Sequence, residues 1–347
     1  MKLKIETILL MMTLCLVSGC ERMFMGERMD TNPVVTFDYL WQQVDERYSL
    51  FDVKEVDWGA MYDSLRPRVY NDMSDEELFS VCRDLLNSLN DGHVDLWSST
   101  DVASSEAIFL QRYAQNNIDI NTVALTYLGP HRHTTGGLTY NSIDSGRVLY
   151  IYYGSFSNKA SANQMEYAIS LYPDIDGIVF DIRQNGGGEI QNEWNLMSLL
   201  PDKKQLLYTT QLKSGKGHND FGTPTAVYAP SNKGHKPFTK PFVLLTDRGC
   251  YSAASSFALS LKSYDNVTVM GDTTAGGLGI PAGGALPNGW YYRIGVSRII
   301  APDGINYENG VPPDQVVMLD PAATALRRDN IIDSACALIQ RQKQKRR

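Results

Sequence analysis

Three short stretches of this chain hold residue types that hydrolytic chemistry uses, and they lie far apart. The first is Leu244-Leu245-Thr246-Asp247-Arg248-Gly249-Cys250-Tyr251-Ser252-Ala253-Ala254. An apolar run leads into a glycine-containing turn, and a serine then opens a segment of small residues. A helix N-terminus leaves backbone N–H groups unpaired and carries positive potential. A serine placed there can be exposed as a nucleophile, and the N–H of Ala253 can face the oxyanion formed when a carbonyl is attacked. A serine at that position is also a common N-cap, and this stretch alone does not separate the two roles. Cys250, two residues earlier, is a competing thiol nucleophile.

The second stretch is Asn185-Gly186-Gly187-Gly188. Consecutive glycines let backbone approach a ligand and turn N–H groups outward. That suits a phosphate cradle, an oxyanion hole built from Gly186 or Gly187, or a plain flexible turn. The G-x-x-x-x-G-K-[ST] and G-x-G-x-x-G patterns are absent here. The third stretch, Asn90-Asp91-Gly92-His93, offers an imidazole whose ordinary pKa suits general-base work near neutrality. The remaining histidines, His131, His133, His218 and His235, show no zinc-ligand spacing, so no metal or other cofactor is expected.

These residues need elements to carry them. Phe37, Leu40, Trp41, Val44 and Tyr48 recur at helical spacing. Ser74-Asp75-Glu76-Glu77 reads as a capping box opening a second helix, with Leu78, Cys82, Leu85, Leu86 and Leu89 as its apolar stripe. Gly92 permits a turn after that helix, which puts His93 just past its end. Residues 100–145 are weakly patterned. Val123 to Leu128 reads as a strand, and Gly136-Gly137 as a turn. From 147 the pattern is α/β: strands over Val148 to Tyr153, Gly177 to Ile182, Phe242 to Thr246 and Val267 to Met270, helices over Ala160 to Tyr172, Glu189 to Leu200 and Ser252 to Lys262. Such alternation predicts a mostly parallel sheet with right-handed crossovers. Residues 213–236, rich in Gly, Lys, Pro and Asn, read as a long surface loop that could gate a cleft. In open α/β sheets, sites gather beyond the carboxyl ends of strands, where both the glycine run and Ser252 fall.

Together the stretches resemble peptidase family S41, the carboxyl-terminal processing and tricorn-core proteases. Leu89 to Val94 is similar to the family's L-x-D-G-H segment, and Gly177 to Gly188 to its D-L-R-x-N-x-G-G block. Thr246 to Ala253 is similar to its nucleophile segment, and Gly271 to Gly277 to its G-x-x-T-x-G block. Leu286 to Gly289 and Glu308 to Asp314 resemble its C-terminal signature. The resemblance implies a ClpP/crotonase-like core over 147–320 and a small N-terminal helical domain over 34–98 carrying the base. A short connection over 99–146 leaves no room for a PDZ domain, and a C-terminal helix with a basic tail fills 321–347. It further implies an acyl-enzyme peptidase acting on peptides or proteins, with Ser252 as nucleophile. The processing branch takes its base from a lysine in T-x-G-K-G, and here Gly277 stands at that position. The tricorn-core branch uses a histidine oriented by a glutamate, which maps onto His93 and Glu308 and implies a Ser252–His93–Glu308 triad in a cleft between domains. Where the tricorn protease has a serine beside its histidine, this chain has Gly92.

The chain has 347 residues and a formal net charge of -7, which argues against nucleic acid as a partner. Arg341, Lys343, Lys345, Arg346 and Arg347 read as a solvated tail. At the front, Lys2 and Lys4 precede the apolar run Ile8 to Val17, too short to span a bilayer. It ends in Val17-Ser18-Gly19-Cys20, which resembles the lipobox of bacterial lipoproteins. That resemblance implies cleavage of a signal peptide over 1–19, lipid on the Cys20 thiol and a flexible tether over 20–33. It implies anchoring in the bacterial cell envelope, at the outer membrane, facing the periplasm or the outside. Cys82, Cys250 and Cys336 are left, an odd number that permits at most one disulfide. Oligomeric state is not legible. Two other readings compete: a catalytically silent binding lipoprotein on the same fold, and acyl-thioester chemistry of the crotonase kind, for which no basic phosphate site is evident near Gly186.

Overall fold

The structure, a computed structural model, describes residues 31–105, 117–201, 204–232 and 234–345. Cys20, the segment before it and the last two arginines lie outside the described residues. The main sheet contains β3 (His133–Thr135), β4 (Leu138–Ile143), β5 (Val148–Tyr152), β6 (Gly177–Asp181), β9 (Phe242–Thr246), β10 (Val267–Gly271) and β14 (Gln315–Val316), numbered in chain order through the whole molecule. Its strand order is β14-β10-β9-β6-β5-β4-β3. Every pair from β14 to β5 is parallel, while β4 and β3 fold back antiparallel. β6 and β9 are buried along their full length, as strands covered on both faces must be. One cover is α4 (Ala162–Ser170), α5 (Ile190–Met197) and α6 (Ala253–Leu261). The opposite cover is α7 (Asn330–Lys345), whose Ile331, Ile332, Ala335 and Ile339 pack on Val179, Val243 and Leu245.

The N-terminal helices are α1 (Pro33–Arg47), α2 (Trp58–Leu65) and α3 (Asp75–Asn87). Ser74 and Glu77 form the expected capping box at the start of α3. These helices share their core with part of the later chain. A four-stranded antiparallel sheet, β11-β12-β1-β2, joins β1 (Asp95–Trp97) and β2 (Val102–Ser104) to the hairpin β11 (Pro281–Ala285) and β12 (Tyr291–Gly295). Leu286, Trp290, Tyr292 and Ile294 from that hairpin pack with Phe37, Leu40, Val44 and Leu85. The residue that follows α3 is therefore tied to the peptide that follows β10.

Two elements differ from the expectation. Val123–Leu128 forms a π-helical turn, not a strand. Its short apolar run buries Val123, Tyr127 and Leu128 on one side, a pattern too brief to distinguish strand from helix by period. Within 213–236, Thr225–Tyr228 forms a strand, β8, where an unbroken loop was expected. It pairs with β7 (Leu206–Leu212), which pairs in turn with β13 (Ser297–Ile300). The glycine- and proline-rich flanks hide this four-residue strand from local patterning. The turn at its base reaches α1: His218 Nε2 lies 2.8 Å from Asp45 Oδ1, and its ring stacks on Phe51 at 4.3 Å.

A buried ion cluster fastens α7 to the sheet. Arg183 is fully buried, as are Asp181 and Asp329. Its guanidinium donates to both Asp181 carboxylate oxygens, to Asp329 Oδ2 at 2.9 Å and to the Asn117 carbonyl at 2.8 Å.

Candidate active site

The loops after β6, β9 and β10 meet at the carboxyl edge of the sheet. Tyr251 N–H donates to the Asn185 carbonyl at 3.0 Å, Ser252 N–H to Gly276 at 2.9 Å, and Ala275 N–H to Cys250 at 2.7 Å. This lacing holds Ser252 at φ 55 and ψ -122, a conformation that costs a non-glycine residue about 1–3 kcal/mol. Ser252 stands at the N-cap position, where its carbonyl accepts from Ser256 N–H, but its side chain makes no cap hydrogen bond, so the hydroxyl is not spent on capping. Its Oγ sits 3.0 Å from His93 Nε2. Cys250 is buried, donates its thiol to the Ile182 carbonyl, and has its pKa pushed up by burial; it is a structural group. Cys82, Cys250 and Cys336 are all free thiols.

His93 reaches the serine by a different turn from the one expected. Helix α3 ends at Asn87, and the residue with positive φ is Asn90, at 49°, not Gly92. The His93 N–H then donates to Asp91 Oδ1 at 2.8 Å, an Asx turn that sets the ring's direction. The other Asp91 oxygen accepts from the Tyr48 hydroxyl at 2.8 Å, and the Tyr251 hydroxyl lies 3.4 Å from Oδ1. Burial lowers the His93 pKa and Arg293 adds to this, while the Asp91 charge and the Gly279 backbone act in the opposite direction. The net effect favours the neutral imidazole, the form that accepts a proton.

Gly92, which differs from the tricorn branch, and Gly277, which differs from the processing branch, have one explanation. The Tyr251 ring lies between them. A Cβ on Gly92 would stand 2.7 Å from the Tyr251 hydroxyl, and one on Gly277 would stand 2.3 Å from its ring carbons. Gly277 also has φ 73. A lysine at 277 has no room until Tyr251 moves, so this site is built for a histidine base, with Tyr251 against the ring at a centroid distance of 4.9 Å.

Glu308 does not take the place expected of it. Its Oε2 accepts from Leu278 N–H and Gly279 N–H, both at 2.8 Å. Its Oε1 has no hydrogen-bond partner and lies 3.9 Å from Lys54 Nζ. No hydrogen bond joins it directly to His93, and Ser252 and His93 are the two of the three that touch. Glu308 instead braces the 278–279 peptide that lies against the imidazole. Burial and the neighbouring Asp91 charge raise its pKa, while Lys54 and the Gly279 and Leu278 N–H groups act in the opposite direction.

Gly187 N–H donates to Asn185 Oδ1 at 3.0 Å. It is a glycine for space: a Cβ there would lie 2.8 Å from Ser252 Cβ and 3.0 Å from Ala253 N. The N–H groups of Gly186 and Ala253 have no acceptor among the described residues, and both residues line the cleft beside Ser252. That cleft, about 770 Å³, includes His93, Ser252, the glycine run and Gly277 to Pro281 in its walls. Asp91, Tyr48 and Tyr251 were missed as site residues. Asp91 and Tyr251 are immediate neighbours of the recognised groups, whereas Tyr48 carries no local signal at all. No group of acidic, histidine or cysteine residues suited to a metal occurs among the described residues.

Comparison with known proteins shows the family. The sequence model of peptidase family S41 matches residues 147–317, and that of the tricorn protease C1 domain matches residues 30–87. A solved structure of a candidate peptidase from Parabacteroides merdae ATCC 43184 superposes with a TM-score of 0.83 at 33% identity, covering 89% of this chain and 97% of that one. The chain belongs to peptidase family S41. Among curated S41 relatives, the chloroplastic C-terminal processing peptidase of Tetradesmus obliquus is 28% identical over 244 residues, 69% of this chain and 48% of the relative. The carboxy-terminal processing protease CtpA of Bacillus subtilis is 25% identical over 48% of this chain and 34% of its own length. The chain thus spans about half or less of the length of these curated relatives. Mature CPAF, at 12% identity and a TM-score of 0.64, covering 89% of this chain and 98% of that one, shares the fold. The S41 match covers the nucleophile and both glycine loops, while the tricorn C1 match ends at Asn87, six residues before His93.

Proposed function

We propose that the chain is a serine peptidase in which Ser252 attacks a peptide carbonyl and His93 is the general base. The observation that supports this above all others is the 3.0 Å contact between His93 Nε2 and Ser252 Oγ at the strained start of α6, open to a cleft. On attack the hydroxyl proton passes to Nε2 and the carbonyl oxygen becomes an oxyanion facing the N–H groups of Ala253 and Gly186. Collapse breaks the C–N bond, and the imidazolium returns the proton to the leaving amine. Water, activated by the same imidazole, then hydrolyses the acyl-enzyme. Glu308 contributes by fixing the 278–279 peptide under the ring.

A fluorophosphonate probe tests the assignment. It is expected to label Ser252 of the wild-type protein and to leave His93→Ala unlabelled. Because the His93 pKa lies below its ordinary value of 6.5, the labelling rate is expected to rise with pH through a midpoint below 6.5 and to be flat near neutrality. Absence of labelling, or a midpoint above 7, would overturn the reading. It would favour the alternative of a silent binding protein on this fold.

We further propose that the mature chain is held in the bacterial envelope by lipid on Cys20, at the outer membrane. Support comes from the order Lys2, Lys4, Ile8 to Val17, Ser18-Gly19-Cys20. No helix among the described residues is long and apolar enough to cross a membrane. Incorporation of a fatty-acid analogue into the expressed protein, lost in Cys20→Ala, is the check.

A further inference from the structure

One region of the cleft has walls that the bond-breaking step does not use. Ser256 and Ser260 are four residues apart on one face of α6, and Ser252, the nucleophile, immediately precedes that helix. Ser256 lines the cleft one helical turn deeper, about 6 Å further along the axis. Ser256 and Ser260 both donate their hydroxyls to Glu193 Oε1, at 3.1 and 3.2 Å. Glu193 is fully buried on α5, behind the cleft wall, and its Oε2 has no partner. The Ser256 hydroxyl is thereby tied to Glu193, with the Tyr208 hydroxyl as a second neighbour.

Facing this floor is one side of the three-stranded sheet. Tyr208 pairs with Val227 across β7 and β8, and Thr210 pairs across from Ile299 on β13. All four side chains line the cleft, together with Trp194 of α5. The Thr210 hydroxyl is buried without a partner. His93 and Arg293 stand at the other end, where Arg293 is paired with Asp95. His93 must deliver its proton to the leaving amine, so that end receives the leaving peptide, and the Ser256 end receives the acyl residue.

Resting on the peptidase reading, we propose that this recess is the side-chain pocket for the residue supplying the scissile carbonyl. It takes an uncharged aliphatic or aromatic side chain, with Ser256, held by Glu193, as the specificity-determining residue at its floor. Trp194, Tyr208, Val227 and Ile299 give it apolar walls, against which the unpaired burial of a charge is costly; the one exposed carboxylate lining the cleft, Glu189, stands at the start of α5. Burial raises the Glu193 pKa to about 8, which keeps the group behind the floor mostly neutral near pH 7. The depth of one helical turn matches Leu or Phe and exceeds Ala.

The test uses the full-length protein and a degenerate peptide library, with cuts located by mass spectrometry. Matched peptides then carry Phe, Leu, Ala, Lys or Asp on the acyl side. Leu and Phe are expected to exceed Lys and Asp by at least tenfold in kcat/KM at pH 7. Ser256→Leu from the floor and Val227→Phe from the half-exposed wall should each lower the Phe-to-Ala ratio by at least fivefold. Two variants from opposite walls guard against misfolding of either one. Equal cleavage after Lys and Leu, or a Phe-to-Ala ratio unmoved in both variants, would overturn the pocket while leaving the peptidase assignment standing. A wild type that labels with fluorophosphonate but shows no acyl-side preference likewise removes the pocket alone, whereas one that neither labels nor cleaves defeats both readings.

Discussion

Replacing Ser252 by alanine is expected to lower kcat/KM for peptide cleavage by about 10⁴–10⁶-fold, and His93→Ala by a comparable factor. The reason is geometric. Ser252 Oγ is the hydroxyl aligned with the His93 ring at 3.0 Å, and each group is inert without the other. The double variant should therefore be no worse than either single one, because nucleophile and base act as a unit. Residual cleavage would come from the Ala253 and Gly186 amides alone. Steady-state kinetics on purified variants, with thermal unfolding to show that the fold is retained, is the measurement. A Ser252→Ala protein within tenfold of wild type would remove Ser252 from the mechanism, and additive single effects would separate His93 from it.

The second large effect concerns stability. Arg183→Met should destabilise the protein by about 3–5 kcal/mol, because it leaves Asp181 and Asp329 as uncompensated buried carboxylates. A typical domain has about 5–15 kcal/mol in all, so the variant is expected to unfold at a much lower urea concentration. The loss should fall on α7 first, since the Arg183 guanidinium bridges Asp329, just before that helix, through Nη1 to the strand end at Asp181 through Nε and Nη2. The Tyr150 hydroxyl also donates to Asp181 Oδ2, at 2.7 Å, but a single phenol cannot balance two carboxylates. Urea titration followed by circular dichroism checks this. A midpoint indistinguishable from wild type would mean that the cluster titrates to neutrality at little cost.

Much of this molecule was readable before any coordinates. Local information sufficed wherever a period or a cap carried the signal. The capping box at Ser74 and Glu77, the buried strands β6 and β9, and the serine opening α6 are all set by residues within a few positions of one another. The strand of Thr225–Tyr228 and the π turn of Val123–Leu128 were not legible. Segments of four to six residues take their conformation from the neighbour they pair with or pack against, and that neighbour is elsewhere in the chain.

The candidate site divides in the same way. Residue types and order offered Ser252, His93 and the glycine run as candidates, and the resemblance to family S41 raised Ser252 from cap to nucleophile. Contacts between distant segments decided everything else. Glu308 turned to the Leu278 and Gly279 amides instead of the imidazole, Gly187 gave its N–H to Asn185, and Tyr251 filled the space between Gly92 and Gly277. Which donor meets which acceptor depends on positions within a few tenths of an ångström, set by packing across the sheet, α3 and the β11–β12 hairpin. One-dimensional spacing does not carry that information.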